Sequence, residues 1–168
     1  MRFGLYPGSF DPVTYGHLDV VRRSLTVVDR LIIGLAMDTV KDCLFSVEDR
    51  LWMLSETVQE TMPSLAPRIE ILAFQGLLVH FCRQRSVSLI IRGIRAVSDY
   101  EFEFQLAGVN AALAPDIETI FLPAADGTQH IASRYVKEVA RLGGPVHHFT
   151  PSSVERRLRA MYPLESES

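Results

Sequence analysis

The sequence predicts an α/β protein built on a doubly wound parallel sheet of five strands, with helices on both faces. Three observations lead there. Strand-like apolar runs alternate with helical patterns about five times along the 168 residues, the signature of βα repetition. Leu31-Ile32-Ile33-Gly34-Leu35-Ala36 is apolar on both faces, as a strand covered on both sides must be. The glycine-bearing and charged segments fall at the C-terminal ends of the strands, where open sheets of this kind bind ligands.

The elements follow in order. Phe3 to Tyr6 is the first strand, broken at Pro7-Gly8. A loop of small and turn-forming residues leads to Gly16-His17, where a helix with Leu18, Val21 and Leu25 on one face begins. Val28 to Met37 is the second strand, and the loop after it carries Lys41. Ser46 caps a helix with Glu48 and Asp49 in its first turn, running to about Thr61 and ended by Pro63 and Pro67. Arg68 to Phe74 is a strand, Gly76 to Arg85 a short helix, and Val87 to Ile91 the fourth strand, which delivers Arg92-Gly93-Ile94-Arg95 at its end. Ser98-Asp99-Tyr100-Glu101 has the form of a capping box opening a helix to Leu113. Glu118 to Leu122 is the fifth strand. A helix from Ser133 to Leu142 is stopped by Gly143-Gly144-Pro145, and Thr150-Pro151 reads as a cap opening the last helix. Met37, Met53, Met62, Leu77, Leu78, Phe102 and Phe104 are expected in the core, and His147-His148 at the surface. No repeat or linker divides residues 1–162, and residues 163–168 read as a polar, disordered tail.

Composition narrows the function. The net charge of −3 and pI near 5.9 argue against a nucleic-acid or membrane-surface protein, which needs a basic excess. No apolar run is long enough to span a bilayer. The only cysteines, Cys43 and Cys82, have neither disulfide-framework nor metal-site spacing, so they are expected as reduced thiols in a cytoplasmic protein. Positive charge for an anionic ligand must therefore be concentrated locally.

Phe3 to His17 supplies such a place. A strand, a glycine-containing loop and a helix N-terminus together form an anion cradle of outward N–H groups and favourable dipole. His17 at that helix start is harder to protonate and available as a neutral donor, or else merely caps and packs. Arg92 and Arg95, directly after a buried strand, either bind an anion or pair with Asp99 or Glu101. Lys41 is either a ligand group or a solvated loop lysine, Ser9 either a contact or a turn residue, and Glu103 either a site residue or a solvated one. No Ser-His-Asp set, zinc cluster, Walker P-loop or dinucleotide fingerprint is present. What the chain does offer is positioned cations and N–H donors, which is most of what transfer at phosphorus requires.

Thr14-Tyr15-Gly16-His17 resembles the T/H-x-G-H signature of nucleotidyltransferases related to class I aminoacyl-tRNA synthetases. The longer match is to the bacterial phosphopantetheine adenylyltransferase family. It is carried by Tyr6 to His17, Gly76-Leu77-Leu78-Val79, Ile91 to Glu101 and Val136-Lys137-Glu138-Val139-Ala140-Arg141, and it extends over nearly the whole chain. The resemblance implies a Rossmann-like fold and a single nucleotidyltransferase domain over residues 1–162. It implies adenylyl transfer from ATP to 4′-phosphopantetheine, with Mg2+, a homohexamer and feedback inhibition by coenzyme A. It also implies roles for residues. His17 stabilises the transition state at the α-phosphate, and Ser9 and Phe10 stand where the two substrates meet. Lys41 and Arg92 hold the phosphate of phosphopantetheine, and Leu78 lines its arm. Gly93, Ile94, Arg95 and Glu103 hold ATP, and Thr128, Gln129, His130, Ile131, Ala132, Ser133 and Arg134 close over its phosphates. No side chain is expected as a dedicated metal ligand.

The chain departs from the family pattern in places. Ile131-Ala132-Ser133-Arg134 replaces Ile-Ser-Ser-Ser, removing a hydroxyl and adding an arginine; His80 and Tyr15 stand where many members have aspartate and asparagine. Two further readings remain beside the first: a related nucleotidyltransferase acting on nicotinamide mononucleotide or glycerol phosphate, and a non-catalytic nucleotide sensor.

Overall fold

A computed structural model describes residues 1–38 and 42–164. At its centre lies β1 (Phe3–Gly8), followed by α1 (Tyr15–Ser24), β2 (Arg30–Ala36) and α2 (Val47–Thr61). A single 3-10 turn precedes β3 (Ile69–Phe74), and α3 (Leu78–Gln84), β4 (Leu89–Ile94), α4 (Val97–Leu113), β5 (Glu118–Pro123), α5 (Ser133–Arg141) and α6 (Ser152–Met161) follow. The sheet has five strands in the order β3-β2-β1-β4-β5, and every pairing is parallel. The chain winds outward from β1 to β3, then crosses back to lay β4 against the other side of β1. The C-terminal ends of β1 and β4 thus diverge into helices on opposite faces, which opens a crevice between them.

Strand alternation sends side chains to two cores. Tyr6, Leu31, Ile33, Leu35 and Ile91 pack with Leu18 and Val21 of α1, Met53 and Leu54 of α2, Val136 of α5 and Leu158 of α6. Leu5, Ile32 and Ile90 pack on the other face with Val79, Phe81 and Cys82 of α3 and with Ala114 and Ile117 beyond α4. The doubly wound parallel sheet is therefore as the residue pattern predicts. Each fully buried aliphatic side chain contributes about 1.5–3 kcal/mol relative to exposure. Among the described residues no helix is long and apolar enough to cross a membrane.

Several local expectations are corrected. The Ser98 capping box does not form, because α4 begins a turn-fraction earlier. Ala96 is its N-cap, and the Asp99 carboxylate accepts from the backbone N–H groups of Arg95 (3.1 Å) and Ala96 (3.2 Å). Thr150 does not cap α6. It is buried and donates to the Val146 carbonyl, while Glu60 of α2 accepts from the Ser152 and Ser153 hydroxyls at 2.6 and 2.9 Å and from their N–H groups. Partial burial raises the Glu60 pKa, but these bonds outweigh it and leave the carboxyl below its ordinary value. Met53 and Met62 are buried as expected, but Met37, Leu77, Phe102 and Phe104 are exposed. On α4 the buried positions are Glu103 and Asn110, seven residues apart and so on one face. Phe102 and Phe104 lie about 100° to either side, on the two opposite flanks of the helix.

Candidate active site

The crevice between β1 and β4 encloses about 440 Å3, a volume suited to a nucleotide-sized ligand. Four segments wall it: the end of β1 with Ser9 and Phe10, the start of α1, the end of β4 with Arg95, and residues 124–134. Two helix N-termini, those of α1 and α5, therefore open into one space. The first N–H groups of a helix have no intrahelical acceptor and carry its positive dipole end, so the cleft floor is prepared for polyanions.

His17 occupies the third position of α1, and the local sequence fixes its orientation. Thr14 is the N-cap; its hydroxyl accepts the His17 N–H at 3.4 Å. In return the Thr14 N–H donates to His17 Nδ1 at 3.0 Å. A backbone N–H only donates, so Nδ1 is the unprotonated nitrogen and the neutral ring carries its proton on Nε2. The ring packs edge-on against Phe10, with centroids 5.0 Å apart. Burial lowers the His17 pKa to about 4, and the positive charge of Arg95 adds to the effect. Near neutral pH the cleft thus holds a neutral imidazole with a fixed donor. Burial also pushes the Tyr6 phenol well above its ordinary pKa.

Phe10 takes a left-handed backbone conformation, φ 48°, unusual for a large side chain and held only where neighbours enforce it. Gly93 is needed for close approach, since a Cβ there would come within 2.9 Å of Val20 Cγ2 on α1.

Arg92, but not Arg95, departs from the pairings considered on spacing. Arg92 faces neither Asp99 nor Glu101. Its Nε and Nη2 make a bidentate pair with Glu103 at 2.6 and 2.5 Å, and Nη1 donates to the Pro7 carbonyl at 3.1 Å. Arg95 does meet Asp99, at 3.8 Å, while its Nη1 donates to the Ile131 carbonyl at 2.9 Å. Arg95 thereby ties the end of β4 to the segment that leads into α5. Ser133 is the first residue of α5 and not its cap; its hydroxyl donates to the Pro12 carbonyl at 2.7 Å. Arg134 is exposed at the cleft mouth, its guanidinium 4.7 Å from the centroid of the Tyr135 ring.

Of the residues expected at a site, Ser9, Phe10, His17, Arg92, Gly93, Ile94, Arg95, Thr128, Ile131, Ala132, Ser133 and Arg134 line this one cleft. Glu103 stands behind it, reaching it through Arg92. Gln129 and His130 are exposed on the neighbouring loop, His130 edge-on to Phe149. Leu78 packs against the α3-side core. Lys41 lies outside the described residues. Two buried groups escaped the sequence reading. Asp11, 4% exposed, accepts from the Leu44 and Phe45 N–H groups and from Lys137 Nζ at 2.9 Å. Arg50, 3% exposed, donates to the Ser9 carbonyl at 2.9 Å. Asp11 sits in a turn segment and Arg50 in a helix, and no local pattern announces partners so far away along the chain.

A cytidylyltransferase-like family model matches residues 5–139. The phosphopantetheine adenylyltransferase of Rhodospirillum centenum is 45% identical over 167 residues, covering 98% of this chain and 89% of the relative. That of Dinoroseobacter shibae is 49% identical over 158 residues, covering 94% and 92%. Among solved structures, a nicotinic acid mononucleotide adenylyltransferase of Plasmodium falciparum complexed with NaAD superposes with TM-score 0.70 at 14% identity, over 97% of this chain and 96% of that one. A bifunctional NMN adenylyltransferase/ADP ribose pyrophosphatase of Francisella tularensis superposes with TM-score 0.74 at 13% identity, over 98% of this chain and 50% of the other. These two likenesses establish the shared Rossmann-like fold, whereas the sequence identities, sustained over almost the full length of both partners, go further: the chain belongs to the phosphopantetheine adenylyltransferases within the cytidylyltransferase-like family.

Proposed function

We propose that this protein transfers the adenylyl group of ATP to 4′-phosphopantetheine, releasing pyrophosphate and giving dephospho-CoA in the penultimate step of coenzyme A biosynthesis. The observation that carries the mechanism is the neutral, Nε2-protonated His17 between two converging helix N-termini. A phosphate oxygen of phosphopantetheine attacks the α-phosphorus of ATP. The bond from that phosphorus to the β-phosphate oxygen breaks, and its electron pair leaves with pyrophosphate. The nucleophile is already an anion, so no general base is required. His17 donates to a non-bridging α-phosphate oxygen as charge accumulates there. One such aimed donor is worth about 3–4 kcal/mol, and in-line proximity of the two substrates about 7–11 kcal/mol.

The other residues divide the substrates between them. Arg95, the N–H groups of Ser133 and Arg134, and the Thr128–Arg134 segment receive the triphosphate, Gly93 and Ile94 also hold ATP, and Glu103 contributes from behind the cleft through Arg92. Arg92 and Lys41 hold the phosphate of phosphopantetheine, and Leu78 its arm. Glu103 fixes the Arg92 fork, so that the guanidinium meets phosphate in a preset orientation. Mg2+ would be carried mainly on the ATP phosphates and water rather than on dedicated side chains. Bound there, it would supply positive charge to offset the charge developing on pyrophosphate, while Arg95 and the α5 N–H groups orient the triphosphate. Coenzyme A, which shares chemical groups with the product, acts as a feedback inhibitor. The protein works in the cytoplasm as a homohexamer; the exposed Phe102, Val109 and Leu113 on one flank of α4 support a subunit contact there.

Pyrophosphate release from ATP and Mg2+ tests this reading, with 4′-phosphopantetheine, nicotinamide mononucleotide and glycerol phosphate supplied in turn. Turnover is expected only with 4′-phosphopantetheine. ATP binding without turnover on any acceptor would instead identify a nucleotide sensor. His17→Ala is expected to lower kcat at least about a hundredfold with the fold intact; near-normal turnover would remove His17 from the reaction.

A further inference from the structure

Arg50 lies in the first half of α2, is 3% exposed, and has no part in the reaction as derived. Its guanidinium reaches three backbone carbonyls: Phe45 through Nε at 3.2 Å, and Ser9 and Ala36 through Nη1 at 2.9 and 3.4 Å. Among the described residues no carboxylate lies within ion-pair distance of it. A desolvated cation without a counter-ion is costly, and breaking its remaining bonds would leave the charge unsupported.

The three acceptors have a shared meaning. Ala36 ends β2 and Phe45 precedes the cap of α2, so Arg50 grips both ends of the segment that carries Lys41. Ser9 immediately precedes Phe10, whose left-handed conformation turns the loop beneath His17. Holding the Ser9 carbonyl from behind fixes the plane of the Ser9–Phe10 peptide at this turn. Asp11 adds to the arrangement, accepting from the N–H of the same Phe45 whose carbonyl Arg50 holds. A lysine would supply charge and donors but not the planar fork that spans separate strands.

We propose that Arg50 is a positioning residue for adenylyl transfer: it staples both ends of residues 36–45 to the Ser9–Phe10 turn, and so sets the two substrates in register. This rests on the adenylyltransferase reading above. The cost of losing the staple falls on alignment of bound substrates, so kcat suffers more than either KM.

Arg50→Lys tests the assignment, with rates expressed per folded molecule and the folded fraction measured by near-UV circular dichroism below the variant's thermal midpoint. The expected result is a kcat lower by tenfold or more, with both KM values changed less than threefold. A kcat per folded molecule within twofold of the unaltered protein would overturn the proposal and leave Arg50 a purely structural residue. Because the variant is able to lose its fold, the unaltered protein supplies a second measurement. The Arg50 guanidinium N–H resonances, followed by NMR, should stay protected from exchange and shift when ATP is added and again when 4′-phosphopantetheine is added. Resonances indifferent to both substrates would equally overturn it. If the unaltered protein itself shows no turnover with 4′-phosphopantetheine, the functional reading fails and not the staple, which the ATP-induced shift still tests.

Discussion

At His17 a single backbone hydrogen bond decides the tautomer. The Thr14 N–H consumes Nδ1, the neutral tautomer follows, and the lowered pKa of about 4 keeps it neutral through the working range. This has a direct readout. In a pH titration followed by 1H–15N NMR, His17 should show the Nε2-protonated pattern and titrate well below 6.5. A midpoint near 6.5, or an Nδ1 proton at neutral pH, would contradict the assignment. The sign for stability follows from linkage. The unfolded chain takes up a proton at this histidine near pH 6.5, which the folded site resists until about pH 4. His17 therefore contributes no pH dependence above 6.5 and makes the fold less stable as pH falls from there toward 4. Arg92 shows a second lesson at this scale: its position after a strand pointed to an anion, but the bidentate partner came from Glu103, eleven residues on and nearly two turns into α4.

At the scale of elements, the cleft depends on how closely α1 packs over β4. Val20 of α1 occupies the space where Gly93 lacks a side chain, so a Cβ would stand 2.9 Å from Val20 Cγ2. Gly93→Ala is expected to cost about 1–3 kcal/mol of stability by overpacking, measured by urea unfolding. Because the clash is with one side chain, Val20→Ala in the Gly93→Ala background should restore part of that loss, giving a coupling energy of at least about 0.5 kcal/mol in a double-mutant cycle. Strict additivity would show that the helix shifts as a whole instead. The caps teach the same dependence on neighbours. Ser46 caps α2 by itself, accepting the Asp49 N–H at 3.1 Å, as its sequence foretold. The start of α6 is held by Glu60, ninety-two residues earlier, and its own Thr150 turns inward.

At the scale of the whole molecule, α4 presents Phe102, 64% exposed, with Val109 and Leu113 on one flank, and Phe104 with Val97 on the opposite one. Large apolar groups gathered on one helix flank mark a protein–protein contact in soluble proteins. For the proposed hexamer, Phe102→Glu should shift the sedimentation velocity profile toward smaller species. Stability of the individual subunit should change by no more than about 0.5 kcal/mol, because the side chain is already in water there. An unchanged hexamer would exclude this flank from the interface.

The sequence by itself determined the order and kind of the elements. It also marked the strand ends as the edge where a ligand would sit and singled out Gly16-His17 and Arg92 to Arg95 as candidates, which the fold brings into one cleft. These follow from short-range physics: apolar periodicity, turn residues, caps, and a helix N-terminus that attracts negative charge. Only the tertiary structure decided which charges meet. Lys137 and Asp11 are 126 residues apart, Arg95 and Ile131 36, and Arg50 and Ser9 41. Such partners are chosen by the crossover that lays β4 beside β1 and by the desolvation that forbids a buried charge to stand alone. No local spacing records either, and that is why the residues supporting the cleft were the least legible and those lining it the most.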